Sequence, residues 1–235
     1  MPDLIDAMLV QLATDEGPVL VRAALAHLNL VMIHPFRDGN GRMARCLQTL
    51  VLAREKIVAP VFSSIEEYLG RNTQAYYDIL GLVGAGAWRP DRNTRDWVRF
   101  CLTAHYRQAK THLRRIEEIE ELARQCAAVA GQHHLSERTT GGLIEAALGF
   151  RLRNATYRSV TEGSAGEAIS ELTATRDLKR MVDAGLLLAV GERRGRYYVR
   201  SDQLAELQAK IRADRPARDE YDPFIMAQQQ LQLAL

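Results

Sequence analysis

A short run of helix-breaking residues constrains the fold more than any other part of the chain. Pro35 and the Gly39-Asn40-Gly41 stretch interrupt a sequence that has a helical pattern on both sides. Before the break, apolar residues recur at helical spacing at Leu20, Ala23, Ala24, Leu28 and Val31. After it, a buried helical face is predicted at Met43, Cys46, Leu47, Leu50 and Val51. The sequence therefore predicts two helices joined by a tight loop, with the glycines opening the second helix.

The residues of this loop suit the binding of a nucleotide triphosphate. A helix N-terminus presents unpaired N–H groups, and glycines let those groups approach a phosphate closely. Arg42 and Arg45 lie one turn apart and can fork onto phosphate oxygens. Asp38 is a hard oxygen ligand suited to Mg²⁺. His34 has a side chain suited to general-base work near neutral pH, and Phe36 is expected to anchor the loop.

Each feature also has a structural interpretation when it is taken alone. A histidine before proline is usually structural, a Gly-Asn-Gly stretch is usually a turn, and arginines three apart usually form a solvated helix face. The combination in one order favours a functional site. Residues 34–45, HPFRDGNGRMAR, match the pattern HxFxDGNGRxxR and so resemble the signature of the Fic (filamentation induced by cAMP) family.

The resemblance implies a protein adenylyltransferase, which moves AMP from ATP to a Tyr, Thr or Ser hydroxyl of a protein, including itself. It assigns His34 as the catalytic base and Asp38 to Mg²⁺. Doc-like relatives, which act as kinases, carry a lysine at the position of Gly41, so the glycine favours adenylylation. The nucleotide-binding residues implied within the motif are Gly39, Asn40, Gly41, Arg42 and Arg45.

The resemblance continues past the motif, over residues 62–68 and 72–77. It implies that Asn72, Tyr76 and Tyr77 shape the adenine side of the site; the alternative is core packing plus a helix cap. Trp88, Trp97, Phe100 and Cys101 are expected in the last core helix.

Two regulatory elements of the family find no match in the sequence. Residues 1–33 show no strand-turn-strand pattern for the β-hairpin flap that orients the target hydroxyl, and we expect part of the N-terminal region to be missing. No [ST]xxxE[GN] inhibitory helix is found either. We therefore expect Arg45 to be free, ATP to bind productively, and transfer to be slow, unselective and mostly onto the chain itself.

The bulk numbers exclude several classes of protein. The chain has 235 residues, a net charge of +2 and 47% hydrophobic residues, which favours a packed globular protein over a strongly nucleic-acid-binding one. Cys46, Cys101 and Cys126 have no metal or disulfide spacing and are expected as reduced core thiols. No signal peptide or membrane span is predicted, so a cytoplasmic location is expected.

The predicted fold class is mostly α, a Fic-type helical core followed by a winged helix-turn-helix domain with a small β-hairpin. The predicted domains are residues 1–104 for the core, 105–134 for a connecting helix, 135–202 for the winged helix and 203–235 for a polar tail. Ser170 is predicted to cap the third helix of the winged helix, with Leu172 and Leu178 facing inward, and Gly185 to end it. A hairpin over residues 186–200 follows.

A winged helix suggests DNA as a partner, with a groove-facing helix and a basic wing. The alternatives are a solvated basic face, or a winged helix used for protein contact or homodimerisation. The rival function for the whole chain is a nucleotide-sensing, DNA-binding transcriptional regulator with a weakly active or inactive Fic module. The predicted DNA-binding residues are Arg176, Lys179, Arg180, Arg193, Arg194 and Arg196.

Overall fold

The computed structural model describes residues 2–14, 16–55, 62, 64–85, 91–166, 168–215 and 223–225. Helices dominate these residues, and their strands form one two-stranded antiparallel sheet, which confirms the predicted mostly α class. The chain divides into two compact units, one of Met1–Leu113 with Asp219–Leu235 and the other of Arg114–Arg218. The predicted core residue Trp88 and most of the predicted tail lie outside the described residues.

The first unit contains the two helices that the sequence predicts on either side of the loop. Its helices are α1 Pro2–Thr14, α2 Val19–Ile33, α3 Asn40–Arg54, α4 Glu66–Arg71 and α5 Thr73–Gly84. A further helix, α6 Arg95–Gln132, contributes residues to both units. The predicted last core helix and the predicted connecting helix are thus one uninterrupted helix. Trp97 and Cys101 of α6 are fully buried against α2 and α5, as expected of core residues.

The predicted buried face of α3 is wrong at three of its five positions. Met43, Cys46 and Leu50 are exposed, whereas Leu47 and Val51 are half-buried, and the fully buried residues are Asn40, Ala44, Gln48 and Leu52 at a spacing of four. Two of these buried residues, Asn40 and Gln48, are amides and were not part of the predicted apolar face. Their burial is tolerated because each finds hydrogen-bond partners inside the unit. The exposure of Cys46 also contradicts its assignment as a core thiol.

The second unit has three short helices followed by a hairpin, in the predicted order. Its further elements are α7 Thr139–Ala147, α8 Asn154–Ala165, α9 Glu171–Asp183, β1 Leu187–Val190, β2 Tyr197–Arg200 and α10 Asp202–Ala213. The Ser170 hydroxyl accepts a hydrogen bond from the Thr173 N–H at 3.1 Å, and Gly185 has a φ of +72°, so both predicted caps are confirmed. The identification of this unit as a winged helix stays a prediction.

The strands pair with Leu187 opposite Arg200 and Val190 opposite Tyr197. Leu152, which precedes α8, adds a single antiparallel bridge to Tyr198. This bridge ties the segment between α7 and α8 to the hairpin and leaves Leu152 in the core of the unit.

Two details of the second unit differ from the sequence prediction. Leu172 is exposed, and Ala174 takes its place on the inward face of α9 beside Leu178. The predicted boundary at residue 202 also cuts through packed structure, because Leu204 of α10 is fully buried in the core of this unit. Only Leu204, Leu207 and Ile211 of α10 pack on the core, and the many polar residues around them resemble a polar tail in the sequence, which explains the error.

Candidate nucleotide-binding site

Two residues in the left-handed conformation mark the two ends of the loop between α2 and α3. His34 ends α2 with a φ of 52° and a ψ of 55°, and Gly39 precedes α3 with a φ of 86°. A positive φ costs glycine nothing but is uncommon for other residues, and it occurs most often at functional positions. The left-handed conformation of His34 ends α2, and residues 36–38 form an exposed bend before α3.

The His34 side chain is exposed and lightly tethered. Its Nδ1 atom lies 3.3 Å from the Val31 carbonyl oxygen. A carbonyl only accepts hydrogen bonds, so Nδ1 carries the proton and the second ring nitrogen, Nε2, is the basic one. The imidazole can therefore take a proton from a group that approaches from solvent.

Asn40, rather than Phe36, anchors the loop. The Asn40 amide nitrogen donates to the Phe36 carbonyl at 2.6 Å, and its oxygen accepts from the Phe36 N–H at 2.9 Å. Asn40 is only 3% exposed, whereas the Phe36 ring is 45% exposed, so the anchoring role expected of Phe36 is wrong. The Asn40 side chain pairs with both the N–H and the carbonyl of Phe36, and an apolar ring has no polar atoms with which to do this. The Asn40 side chain is thus engaged within the loop, and the role of Asn40 toward phosphate stays a prediction.

The first turn of α3 contains backbone N–H groups that have no partner within the helix. The Met43 N–H closes the first helical bond to the Gly39 carbonyl, and the N–H groups of Asn40, Gly41 and Arg42 precede it. A Cβ atom on Gly41 would stand 3.4 Å from a terminal nitrogen of Arg45, and one on Gly39 would stand 3.5 Å from Arg42. Both glycines thus leave room beside a guanidinium, which suits an approaching anion.

Asp38 fits the predicted role of metal ligand. Its side chain is 92% exposed; one carboxylate oxygen accepts from the Gly39 N–H at 2.6 Å and the other lies 3.2 Å from Arg42. Among the described residues, no group of three or more histidine, cysteine, aspartate or glutamate side chains could hold a metal ion. A single carboxylate beside an anion site matches the way Mg²⁺ binds, through one or two carboxylates and substrate phosphates.

Arg45 is paired, and the prediction that it is free is wrong. Its Nε donates to a Glu66 carboxylate oxygen at 3.0 Å. Partial burial opposes the charge on the guanidinium, but the hydrogen bond and negative charge of Glu66 raise the pKa of Arg45 on balance. The sequence did not reveal this pairing because Glu66 lies 21 residues away and matches no inhibitory motif. The structure thus places a carboxylate of the chain itself on the second arginine of the motif.

The three residues predicted on the adenine side have different environments. Tyr77 is exposed, and the Asn72 amide donates back to the Tyr68 carbonyl at 2.8 Å. Tyr76 is buried in the core, and its hydroxyl lies 3.0 Å from His27 Nε2. Burial raises the pKa of the Tyr76 hydroxyl, while the charge of Arg45 works in the opposite direction. The assignment of all three residues to adenine stays a prediction.

Sequence reasoning missed a buried polar chain next to the motif. His27 Nδ1 lies 2.6 Å from Gln48 Oε1, His27 Nε2 lies 3.0 Å from the Tyr76 hydroxyl, and Gln48 Nε2 lies 3.0 Å from His105 Nε2. Burial lowers the pKa of His27 and of His105 to about 4. The available signal was weak: polar His27 and Gln48 each stand on an otherwise apolar helical pattern.

The predicted DNA-binding side chains lie on the surface of the second unit. Arg176, Lys179 and Arg180 are exposed on α9, and Arg193 and Arg196 are exposed in the hairpin turn. The side chain of Arg194 lies outside the described part. Asp177, between Arg176 and Lys179, points inward instead, where it forms a bidentate pair with Arg138 at 2.8 and 3.1 Å. The middle of the outward face of α9 is therefore basic, with Glu171 and Asp183 exposed at the two ends of the helix.

The described geometry brings a candidate anion-binding turn, a candidate base and two arginines together in one loop between two helices. Residues 1–52, which include the whole loop, match the family model described as Fic/DOC family. Protein adenylyltransferase fic-1 of Caenorhabditis elegans is 40% identical over 72 residues, which are 29% of this chain and 12% of that protein. Protein adenylyltransferase Fic of Nematostella vectensis is 41% identical over 68 residues, which are 29% of this chain and 14% of that protein.

A solved structure, a Fic family protein from Desulfovibrio desulfuricans G20, is 21% identical and has a TM-score of 0.44. The comparison covers 85% of this chain and 55% of that one, but this TM-score is too low to establish a common fold. The similarity to the Fic/DOC family thus rests on residues 1–52, which contain the motif, and on the partial matches to the adenylyltransferases. It spans only a small part of the curated relatives, 12% of the C. elegans protein. No helix in the described ranges is both long and apolar enough to cross a membrane.

Proposed function

We propose that the chain is a protein adenylyltransferase, which transfers AMP from ATP to a Tyr, Thr or Ser hydroxyl of a protein, itself included. The observation that carries this proposal is the loop at residues 34–42. It combines an exposed imidazole, an exposed carboxylate and the unpaired N–H groups of a helix N-terminus. The names of the relatives, which are protein adenylyltransferases, support the same activity.

The proposed reaction uses these groups in order. His34 Nε2 removes the proton from the target hydroxyl, and the oxygen attacks the α-phosphorus of ATP. The bond from the α-phosphorus to the oxygen that bridges to the β-phosphorus breaks, and pyrophosphate leaves. The N–H groups of Gly41 and Arg42 donate hydrogen bonds to the negatively charged α-phosphate oxygens, and the Arg42 and Arg45 guanidiniums bind the other oxygens of the triphosphate. Asp38 would hold Mg²⁺, which neutralises phosphate charge when it is bound.

The test is transfer of labelled AMP by wild type and by His34→Ala. A lysate incubated with the protein and ATP labelled at the α-phosphate, followed by mass spectrometry, identifies the modified residues. The expected result is label on protein hydroxyls that requires His34, together with ATP binding that does not. If His34→Ala transfers AMP as fast as wild type, the mechanism is wrong. If wild type binds ATP but transfers nothing, the chain is a nucleotide sensor instead.

A second proposal is that the second unit binds DNA. The observation that favours it is the basic outward face of α9 together with the exposed arginines of the hairpin turn. Duplex binding should weaken with salt, and replacing Lys179 with alanine should reduce the salt slope by about 1. Arg158→Ala removes the same charge from the exposed surface of α8 and is the matched control. Equal effects of the two variants, or no binding by wild type at low salt, would exclude DNA as the partner.

A further inference from the structure

A cleft near the start of α6 holds an aromatic side chain from the C-terminal segment. The Phe224 ring lies against Arg99, with 5.2 Å between the guanidinium carbon and the ring centroid. Both residues belong to the first unit, which includes the C-terminal residues from Asp219 onward. We call this feature, whose volume is about 290 Å³, the α6 cleft. The α6 residues that line it are Arg95, Val98, Arg99 and Leu102.

The α6 cleft is separate from the hydrophobic core of the first unit. The core uses Trp97 and Cys101 of α6, which are fully buried, whereas Leu102 in the cleft is only half-buried. Phe224 is also half-buried, and it belongs to none of the core clusters of the described residues. The ring thus covers apolar surface on α6 without being part of the core, and replacing Phe224 should leave the fold intact.

The charges of the cleft and of the segment are complementary. Two arginines flank the apolar side chains of the cleft, and Asp96, which lies between them in the sequence, does not line it. The five residues before Phe224 include three carboxylates, those of Asp219, Glu220 and Asp222. A guanidinium attracts both the face of an aromatic ring and a nearby carboxylate. The α6 cleft therefore suits a short segment in which an aromatic residue follows acidic residues.

We propose that the α6 cleft is a docking site for the chain's own C-terminal segment, residues 219–225, bound within the same molecule. A single exposed cation–π contact is too weak to hold a separate molecule at micromolar concentration, and exposed ion pairs add little. A segment of the same chain can dock through such contacts, because covalent linkage gives it a local concentration in the millimolar range. Docking returns the C-terminal segment to the unit that carries the loop of residues 34–42. The proposal does not depend on the proposed function.

Disulfide trapping tests both the site and its occupant. In a Cys46→Ser background, which removes the exposed native thiol, Phe224→Cys is combined with Leu102→Cys in the cleft. This pair should close a disulfide within one molecule, which peptide mapping by mass spectrometry detects. The matched control combines Phe224→Cys with Ala109→Cys, at an exposed position about two turns further along α6, and should react several times more slowly. Equal rates for the two pairs, or disulfides between two molecules in place of the internal one, would overturn the proposal.

NMR spectroscopy gives a second readout that needs no cysteine in the cleft. The face of an aromatic ring shifts nearby proton signals upfield, so the Arg99 side-chain signals should lose an upfield shift in Phe224→Ala. Ile225→Ala removes an exposed apolar side chain at the next position, which does not line the cleft, and should leave the Arg99 signals as in wild type. The shift should be independent of protein concentration and should shrink as salt is added. Identical Arg99 signals in wild type and Phe224→Ala, or a shift that grows with protein concentration, would overturn the proposal.

Discussion

Replacing Glu66 with glutamine should strengthen the binding of ATP. In the structure a Glu66 carboxylate oxygen lies 3.0 Å from Arg45 Nε. The Arg45 guanidinium is the group that we expect to bind the γ-phosphate end of ATP. A carboxylate and a phosphate cannot both take the same donors, so the ion pair must open before Arg45 can bind ATP. Glutamine keeps the size of the side chain and removes the charge that holds the pair.

The size of the effect follows from how exposed the pair is. Arg45 is 26% exposed and Glu66 is 57% exposed, so solvent screens their attraction substantially. Pairs of this kind contribute about 0.2–1 kcal/mol. The apparent dissociation constant scales inversely with the fraction of molecules in which Arg45 is open, so removing the pair should tighten ATP binding roughly two- to sixfold. The gain should shrink at high salt, where the pair is already weakened.

Calorimetric titration with ATP and Mg²⁺ measures the effect, and Glu67→Gln is the matched control. Glu67 carries the same charge one residue away but pairs with Arg71 and with the Gln108 amide instead of Arg45. A general loss of negative charge would strengthen binding in both variants equally. Equal gains, or no gain in Glu66→Gln, would refute the idea that Glu66 competes with phosphate.

Four other predictions follow from the same structure. His34→Ala should slow AMP transfer by about a hundred- to ten-thousand-fold in single-turnover assays while ATP affinity changes little; loss of binding instead would mean that His34 has another role. Asp38→Ala should abolish the effect of Mg²⁺ on ATP binding. If the variant responds to Mg²⁺ as wild type does, Asp38 is not the metal ligand. In urea titrations, the free energy of unfolding of Gly142→Ala should be about 1–3 kcal/mol lower than that of Gly163→Ala. A Cβ atom at position 142 would stand 2.8 Å from the Tyr157 ring, whereas one at position 163 would meet nothing within 4 Å. Equal stability of the two would show that the ring moves aside. As the pH falls from 6.5 to 4, the free energy of unfolding should decrease, because His27 and His105 take up protons in the unfolded chain but not in the folded one, where their pKa values are about 4; His27→Leu should remove the His27 part of this slope and leave the His105 part.

The sequence was sufficient for the elements that depend on local chemistry. The break at Pro35 and Gly39, the cap at Ser170 and the left-handed Gly185 each depend on one or two neighbouring residues, and the structure confirms all of them. The predicted hairpin is confirmed as well, because glycines at both ends of its turn are a local signal.

The sequence failed where a residue's environment is set by distant partners. Apolar spacing placed Met43 and Leu50 inside and left Gln48 outside, and the structure reverses this because Gln48 bridges His27 and His105. The pairing of Arg45 was invisible for the same reason: its partner comes from another helix. Periodicity records which residues are apolar, but it carries no information about which buried polar groups will be satisfied.

The pairing of Arg45 with Glu66 makes the competition for phosphate testable at a single side chain. Glu66 is anionic and exposed, so it resembles the phosphate that we expect Arg45 to bind and should be displaced by ATP. Removing the Glu66 charge should therefore tighten ATP binding, and removing Arg45 should weaken it. The gain from Glu66→Gln should also disappear once Arg45 is alanine, because it acts through that side chain. If the gain persists in the Arg45→Ala background, the competition does not involve Arg45, and its place in the triphosphate site must be given to Arg42 alone.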